Sequence, residues 1–486
     1  LDLAYIIAPT ILMAVVLAAV WLERFSVPII LIALGAGILF GSDVLKLWDF
    51  GDVLLTNQVA NMALVFILFH GGFVTERKDF QAVALPAGGL ATWGVILTAA
   101  VTYLCLHFGL GWSQERAILL AVIISSTDAA AIFSILRRQS LSPKLAATVE
   151  IESAANDPMA ILLTVLAVSS FSSGEGFSWA LILPFFWKFA SGPVIGYLCA
   201  RAALWIFNRL TPQDRGHYYV LFLSVVLLTY GISEAAHASG MLAVFSAGFV
   251  MGNRPFIHKQ GVLNFSESIS MISNVGLFVL LGLLVFPRDW STLWVEGILL
   301  FLVLTFIARP AAVFIGTFGM RLGFKFRVFT SWAGLRGAVP IVLATYPAAA
   351  GLAVGHDVFN LVFFAVLLSI LIQGSSLGMV AKWMGLSAPA RPKPLFNLEL
   401  ITMAHTDYDL VVVDLPDPRG KEGPRIRDLD LPEGAVITLI TRGRDVVLPK
   451  GNTRLCGWDQ VTVLAHAPDT STVKEALVAP FRGLES

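Results

Sequence analysis

Charge is scarce in this sequence. Asp, Glu, Lys and Arg make up 14% of its 486 residues and hydrophobic residues 57%, where ordinary soluble domains carry about 25% charge. That balance excludes a soluble globular fold for most of the chain and points to a membrane protein. The 33 basic and 33 acidic residues cancel, so neither a nucleic-acid partner nor an acidic substrate held by bulk electrostatics is expected. Cysteine is equally sparse. Cys105, Cys199 and Cys456 stand alone without CxxC spacing, which argues against a disulfide framework or a zinc site and leaves them as packing residues. Walker A and HExxH patterns are absent, which argues against an ATP-driven pump or a zinc protease. No TVGYG-like run occurs, so the carbonyl cage of a potassium-channel filter is missing. The first apolar stretch begins at residue 1 with no basic flank and no small-residue cleavage site, so no cleavable signal peptide is expected. With no initiator Met, some N-terminal sequence is expected to be missing.

Long apolar segments are what the chain has in excess. A span needs about 20 residues, and thirteen segments are marked on that measure: 3–22, 27–41, 55–74, 82–108, 115–136, 145–171, 178–207, 217–236, 240–252, 266–286, 292–318, 327–347 and 357–384. Two of them, 27–41 and 240–252, are short for a full crossing. Basic residues in short connections set orientation. Counted with the first two residues of the span that follows, the odd-numbered connections hold thirteen Lys and Arg residues, whereas the even-numbered ones hold only Lys46, Arg116 and Arg288. This predicts an N-terminus outside and a C-terminus in the cytoplasm. Near residue 386 the composition changes through "SAPARPKP", a Pro-rich linker over 386–396. Beyond it, "DLVVVDL", "AVITLITRG", "DVVLP" and "QVTVLA" are short Val- and Ile-rich runs separated by Gly, Pro and Asp. They predict a small α+β or β-rich cytoplasmic domain over 397–486, after a membrane domain over 1–385.

Charges inside the spans are the functional candidates. Each costs about 2.5–3.5 kcal/mol at a span centre. The candidates are Asp128, Glu152, Asp157, Arg309 and Arg336, with His70 and His237 as weaker ones. Because burial itself demands partners, locking the bundle is the competing reading for each. In "ESAANDP" (152–158), a helix turning about 100° per residue puts Ser153 and Asp157 about 40° apart and Glu152 and Asp157 about 140° apart. The two carboxylates therefore look in different directions. Pro158 has no N–H, so the carbonyl of Ala154 loses its helical partner beside Asp157. A carboxylate, a hydroxyl, an amide and a loosened carbonyl form an oxygen-rich pocket suited to a dehydrated alkali cation.

Two spans look interrupted, at "SSTDAA" (125–130) and at "AGLRGAVP" (333–340), in the fifth and twelfth segments. Glycine and proline weaken a helix there. Paired broken spans in two halves of a chain point to an inverted-repeat transporter with its site at the midplane. Asp128 and Arg336 at these breaks would offset the partial charges of the half-helix ends, the carboxylate near N-termini and the guanidinium near C-termini. The glycines of "GAGILFG" (35–41) suit close helix packing better than dinucleotide binding.

Together, "STDAAAIFSILRR", "ESAANDP", "ARP" at 308–310 and "GLRGAVP" resemble the monovalent cation:proton antiporter-1 family, which includes bacterial sodium/proton antiporters and animal sodium/proton exchangers. The resemblance covers about residues 1–385. The tail, through "IRDLDLPEGAVITLITRG", "VVLPKGNTRL" and "GWDQVTVLA", is similar to the TrkA-C ligand-binding module of potassium-channel regulators, a pairing found in the bacterial potassium/proton antiporter branch. The resemblance implies an all-α polytopic membrane protein of about thirteen transmembrane helices, with inverted repeats and two crossing broken helices. It also implies a homodimer in lipid, in the bacterial inner membrane, with K⁺ or Na⁺ and H⁺ as substrates and no cofactor. Asp157 would be the shared cation and proton site, with Asn156, Ser153 and Thr127 contributing oxygen. Glu152 would pair with Arg309. His70 in "FILFHGGFV" departs from the family, where many relatives place an acid; it is either a modulator of ion choice and pH response or a packing residue. The tail would bind a small ligand such as a nucleotide, with Arg442 and Arg444 in "TRGRD" either meeting an anion or lying in a solvated turn.

Rival readings fare less well. Asp128 and Asp157 in adjacent spans suggest an intramembrane aspartyl protease, but its GxGD sequence is absent, and no catalytic enzyme is expected. A ligand-gated potassium channel, suggested by the tail, lacks its filter. A sodium-coupled solute carrier fits a small, carboxylate-centred site poorly.

Overall fold

The computed structural model describes residues 2–22, 29–41, 43–47, 52–128, 143–172, 182–210, 214, 216–285, 290–320, 322–386, 408–416, 423–443, 445–466 and 469–482. The chain divides into two compact units, Leu1–Ala388 and Pro389–Ser486.

The first unit is helical. In chain order come α1 (Asp2–Leu22), α2 (Ile29–Phe40), α3 (Val53–Val74), α4 (Arg77–Gly89), α5 (Val95–Leu104), α6 (Gln114–Ile123), α7 (Pro143–Ser172) and α8 (Ile182–Arg209). Then follow α9 (Gly216–Ala235), α10 (Gly240–Gly252), α11 (Lys259–Leu283), α12 (Trp290–Leu302), α13 (Arg309–Gly316), α14 (Phe324–Trp332), α15 (Ala338–Ala349), α16 (Gly355–Leu368) and α17 (Ser375–Trp383). π segments at Leu90–Gly94, Val303–Ala308 and Ser369–Gly374 join α4 to α5, α12 to α13 and α16 to α17 without ending the rod. Among the described residues, eight helical stretches are long and apolar enough to cross a membrane. Leu183, Leu198, Ile272, Phe306 and Met379 stay exposed on their outer faces, as expected of helices whose solvent is hydrocarbon.

Local chemistry sets the ends and the packing. The Asp52 side chain accepts from Leu55 N at 2.9 Å and caps α3, while Ser239 does the same for α10 through Leu242 N. The "GAGILFG" glycines act in packing: a Cβ on Gly37 would come within 2.8 Å of Gly282 Cα, so α2 and α11 touch backbone to backbone. The helices sort into two sets. α10 sits between α3 and α8, and α11 lies on α2 and α3, whereas α6 and α4 pack on α7, and α16 on α12 and α15. Contacts between the sets run mainly through α15 against α3 and α11.

Both predicted interruptions are visible. Helix α6 stops at Ile123 and residues 124–128 are not helical; residues 129–142, which hold the rest of "STDAAAIFSILRR", lie outside the described residues. Residues 333–337 separate α14 from α15. The breaks meet, with Asp128 N donating to Leu335 O at 2.8 Å.

In the second unit the four Val- and Ile-rich runs form β1 (Tyr408–Asp414), β2 (Val436–Arg442), β3 (Asp445–Val447) and β4 (Gln460–His466), followed by α18 (Thr470–Arg482). The sheet order is β1-β4-β2-β3, with antiparallel pairing throughout. Val461, Val463, Leu477 and Phe481 lie in its small core. The predicted linker over 386–396 falls, after Leu386, outside the described residues.

Candidate cation site at the broken helices

Helix α7 carries Glu152, Ser153, Asn156 and Asp157, all buried. Its 3.6-residue turn points them in different directions. On one side, Asn156 Nδ2 donates to Thr127 Oγ1 at 2.7 Å, and Asn156 Oδ1 accepts from Thr127 N at 3.3 Å. Thr127 Oγ1 lies 2.8 Å from Ser153 Oγ. The amide and both hydroxyls are thus joined to one another and to the backbone of the first break.

On another side, Arg309 Nη1 lies 2.6 Å from Glu152 Oε1, with both groups buried. The contact is ionic without hydrogen-bond alignment. Arg309 Nη2 also donates to Thr330 O at 3.4 Å. The π segment Val303–Ala308 shifts the helical phase just before this arginine.

The charges at the breaks sit where half-helices end. Arg336 Nη1 donates to Ser125 O at 2.8 Å and to Ser126 O, carbonyls beyond the end of α6. The Asp128 carboxylate lies against Gly337, next to the N-terminus of α15. Both glycines of "AGLRGAVP" leave room for these charges. A Cβ at Gly337 would overlap Asp128 Oδ2, and one at Gly334 would come within 2.5 Å of Arg309 Nε.

Asp157 faces a third way, into a small cavity of about 30 Å³ at the seam between the two helix sets. That volume suits one or two water-sized particles. Asp128 and Asp157 line it from one set, and Leu68, Phe245 and Asn274 from the other. Asp157 Oδ1 makes no hydrogen bond among the described residues. Two carboxylates and a carboxamide converge on an otherwise apolar space, which provides hard oxygen donors for a small cation. Among the described residues no group of three or more His, Cys, Asp or Glu assembles as a metal centre.

Of the expected site residues, Thr127, Ser153 and Asn156 are joined to one another beside Asp157, and the cavity that Asp157 lines also holds Asp128 and Asn274. His70 does not line the cavity: its Nδ1 lies 3.2 Å from Ser266 Oγ on α11. His237 sits in the turn after α9 with φ 52°. Arg116, near the start of α6, is paired with Glu296 of α12 and lies 4.7 Å from the Trp112 ring. In the second unit Arg442 makes a two-pronged pair with buried Asp459 at 2.8 and 2.9 Å, so its guanidinium braces the sheet end. Arg444 lies outside the described residues.

These features accord with the comparisons. The K(+)/H(+) antiporter NhaP2 of Shewanella oneidensis is 35% identical over 449 residues, covering 91% of this chain and 78% of the relative. The K(+)/H(+) antiporter NhaP of Alkalimonas amylolytica is 31% identical, covering 97% and 83%. The fold is similar to that of the sodium proton antiporter MjNhaP1 from Methanocaldococcus jannaschii, with a TM-score of 0.69 and 22% identity over 79% of this chain and 99% of the other. Residues 11–383 match the family described as Sodium/hydrogen exchanger, transmembrane, and the chain belongs to that family of membrane antiporters.

Proposed function

We propose that this chain is a secondary active antiporter that exchanges a monovalent cation, potassium in preference to sodium, for protons. The observation that carries the reading is the pair of carboxylates from the broken-helix set, facing a cavity of single-ion size at the seam. A buried carboxylate needs either a proton or a cation to neutralise it. At Asp157 the two compete, so loading one expels the other, and no separate energy source is needed. The preference for potassium follows the two relatives named above.

In this reading, Asp128 and Arg336 compensate the half-helix ends, and Glu152 with Arg309 holds the moving set together. Thr127, Ser153 and Asn156 contribute oxygen to the cation and proton site of Asp157. His70, bonded to Ser266 across α3 and α11, serves either as a modulator of ion choice and pH response or as a packing residue. Thirteen crossings arranged as inverted repeats carry the site between the two faces by alternating access. With one titrating acid exchanged against one cation, the cycle is electroneutral. Odd-numbered basic connections place the C-terminal unit in the cytoplasm of a bacterial inner membrane. That unit acts as a TrkA-C-like regulator responding to a small ligand such as a nucleotide, in a homodimer.

The test is proton movement in vesicles reconstituted with the full chain, titrated side by side with K⁺ and Na⁺. Half-saturation is expected at lower K⁺ than Na⁺, with no response of the steady-state gradient to an imposed voltage after leak controls. Removing residues 390–486 is expected to leave exchange measurable and alter its pH or ligand dependence. No cation-dependent proton movement in the intact protein would sink the reading.

A further inference from the structure

Three polar side chains reach the cavity, and only two belong to the helix set that carries the breaks. The third is Asn274 of α11. That helix packs on α2 and α3, in the other set.

We propose that the Asn274 carboxamide oxygen is a ligand of the transported cation, supplied across the seam from Asp157 and Asp128, and that it tunes the preference between cations. The inference rests on the antiport reading above.

A cation that leaves water must have its hydration oxygens replaced, and selectivity depends on the number and strength of the replacements. The rest of the lining offers little: Leu64, Ile67, Leu68, Phe245, Ala338 and Val339 are apolar. Asn156 is already used at both ends of its amide by Thr127. The Asn274 side chain makes no hydrogen bond among the described residues, so its oxygen is available. Its approach is polar as well. Ser266, Ser270 and Asn274 recur every fourth residue on α11, which places them on one face. Ser266 there meets His70 of α3. The three residues form a polar stripe in an otherwise apolar helix, and its last member, Asn274, is the one that lines the cavity. A neutral ligand also adds an oxygen without adding a charge that a second cation or proton would have to balance.

The experiment compares the full-length wild type with Asn274→Ala, Asn274→Asp and Ser273→Ala in reconstituted vesicles. Each is titrated with K⁺ and Na⁺, and cation-dependent thermal stabilisation is measured on purified protein. Asn274→Ala is expected to raise the half-saturating cation concentration about three- to tenfold, the range of one lost neutral interaction. It should change the K⁺ to Na⁺ ratio and leave the maximal rate near wild type. Cation-dependent stabilisation falls in parallel, which a packing defect alone would not produce. Asn274→Asp is expected to lower half-saturation and slow turnover, because a charged ligand releases the ion less readily. Ser273→Ala, one residue round the helix, leaves both constants unchanged. Wild-type half-saturation and selectivity in folded Asn274→Ala overturn the proposal, as does an equal change in Ser273→Ala. If Asn274→Ala does not insert, Asn274→Leu, which keeps the side-chain volume and has no oxygen, is judged by the same criteria. An inactive wild type removes the antiport reading and this inference with it.

Discussion

The two breaks touch, yet they are held in different ways. At 124–128 the loose groups are met by side chains of α7: Asn156 receives the Thr127 N–H and gives its own hydrogen to Thr127 Oγ1, which Ser153 Oγ also meets. At 333–337 the partners come from the π segment after α16. Ser369 Oγ accepts from Arg336 N at 3.1 Å and donates to Gln373 Oε1 at 2.6 Å, while Gln373 Nε2 donates to Trp332 O at 3.2 Å. The first break is therefore tied to the helix that presents Asp157. The second is tied to a rod that contributes nothing to the cavity lining. Backbone groups freed by an interrupted helix must be satisfied somewhere, and what satisfies them decides whether a break communicates with the site or only with the frame.

The largest expected effect is at the site itself. Asp157→Asn keeps the shape and removes the titratable charge, so cation-dependent proton movement is expected to disappear while the purified protein retains wild-type folding. Exchange that persists in this variant would remove Asp157 from the mechanism. It would also detach the first break from function. Next comes Glu152→Gln. It leaves Arg309 charged and buried, and breaking a buried pair in this way costs about 3–5 kcal/mol. Thermal unfolding is expected to shift downward strongly, with cation half-saturation unchanged at a temperature where the variant is folded. A stable variant with altered affinity would instead place Glu152 in the cavity.

Much of this arrangement was legible in the sequence, for identifiable reasons. Ionisable groups in apolar runs are costly, so Asp128, Glu152, Asp157, Arg309 and Arg336 announced themselves. Helical phase alone put Glu152 and Asp157 on different faces of α7, and the structure sets one against Arg309 and the other into the cavity. Glycine and proline in "AGLRGAVP" marked the break, although not the second use of Gly334 and Gly337 as space for Arg309 and Asp128. Partners across helices were not legible, because periodicity gives a direction within one helix and nothing about what stands opposite. The residue periodicity that sets Asn156 beside Asp157 therefore says nothing of the bonds its amide makes to Thr127. Asn274 gave no signal, since a neutral amide in a Ser-rich span is cheap to insert. The π segments left none either; a six-residue shift of phase such as Val303–Ala308 looks like any apolar run.

The smallest expected effects bear most directly on the difference between the breaks. Asn156→Ala strips Thr127 of a donor and an acceptor in a fully buried place, and an unsatisfied buried group costs about 1–3 kcal/mol. Because the loosened segment adjoins Asp157, both the melting temperature and the maximal exchange rate are expected to fall. Gln373→Ala is milder. Ser369 still accepts from Arg336 N, so the variant leaves the Trp332 carbonyl and one Ser369 hydrogen without their partners, for a loss of about 1 kcal/mol. Its melting temperature is expected to drop modestly, with half-saturation and maximal rate unchanged. Unfolding and exchange measured on the two variants together decide the matter. If Gln373→Ala slows exchange as much as Asn156→Ala does, the second break communicates with the cavity after all, by way of Arg336 and its bonds to Ser125 and Ser126, and the two breaks act as one unit.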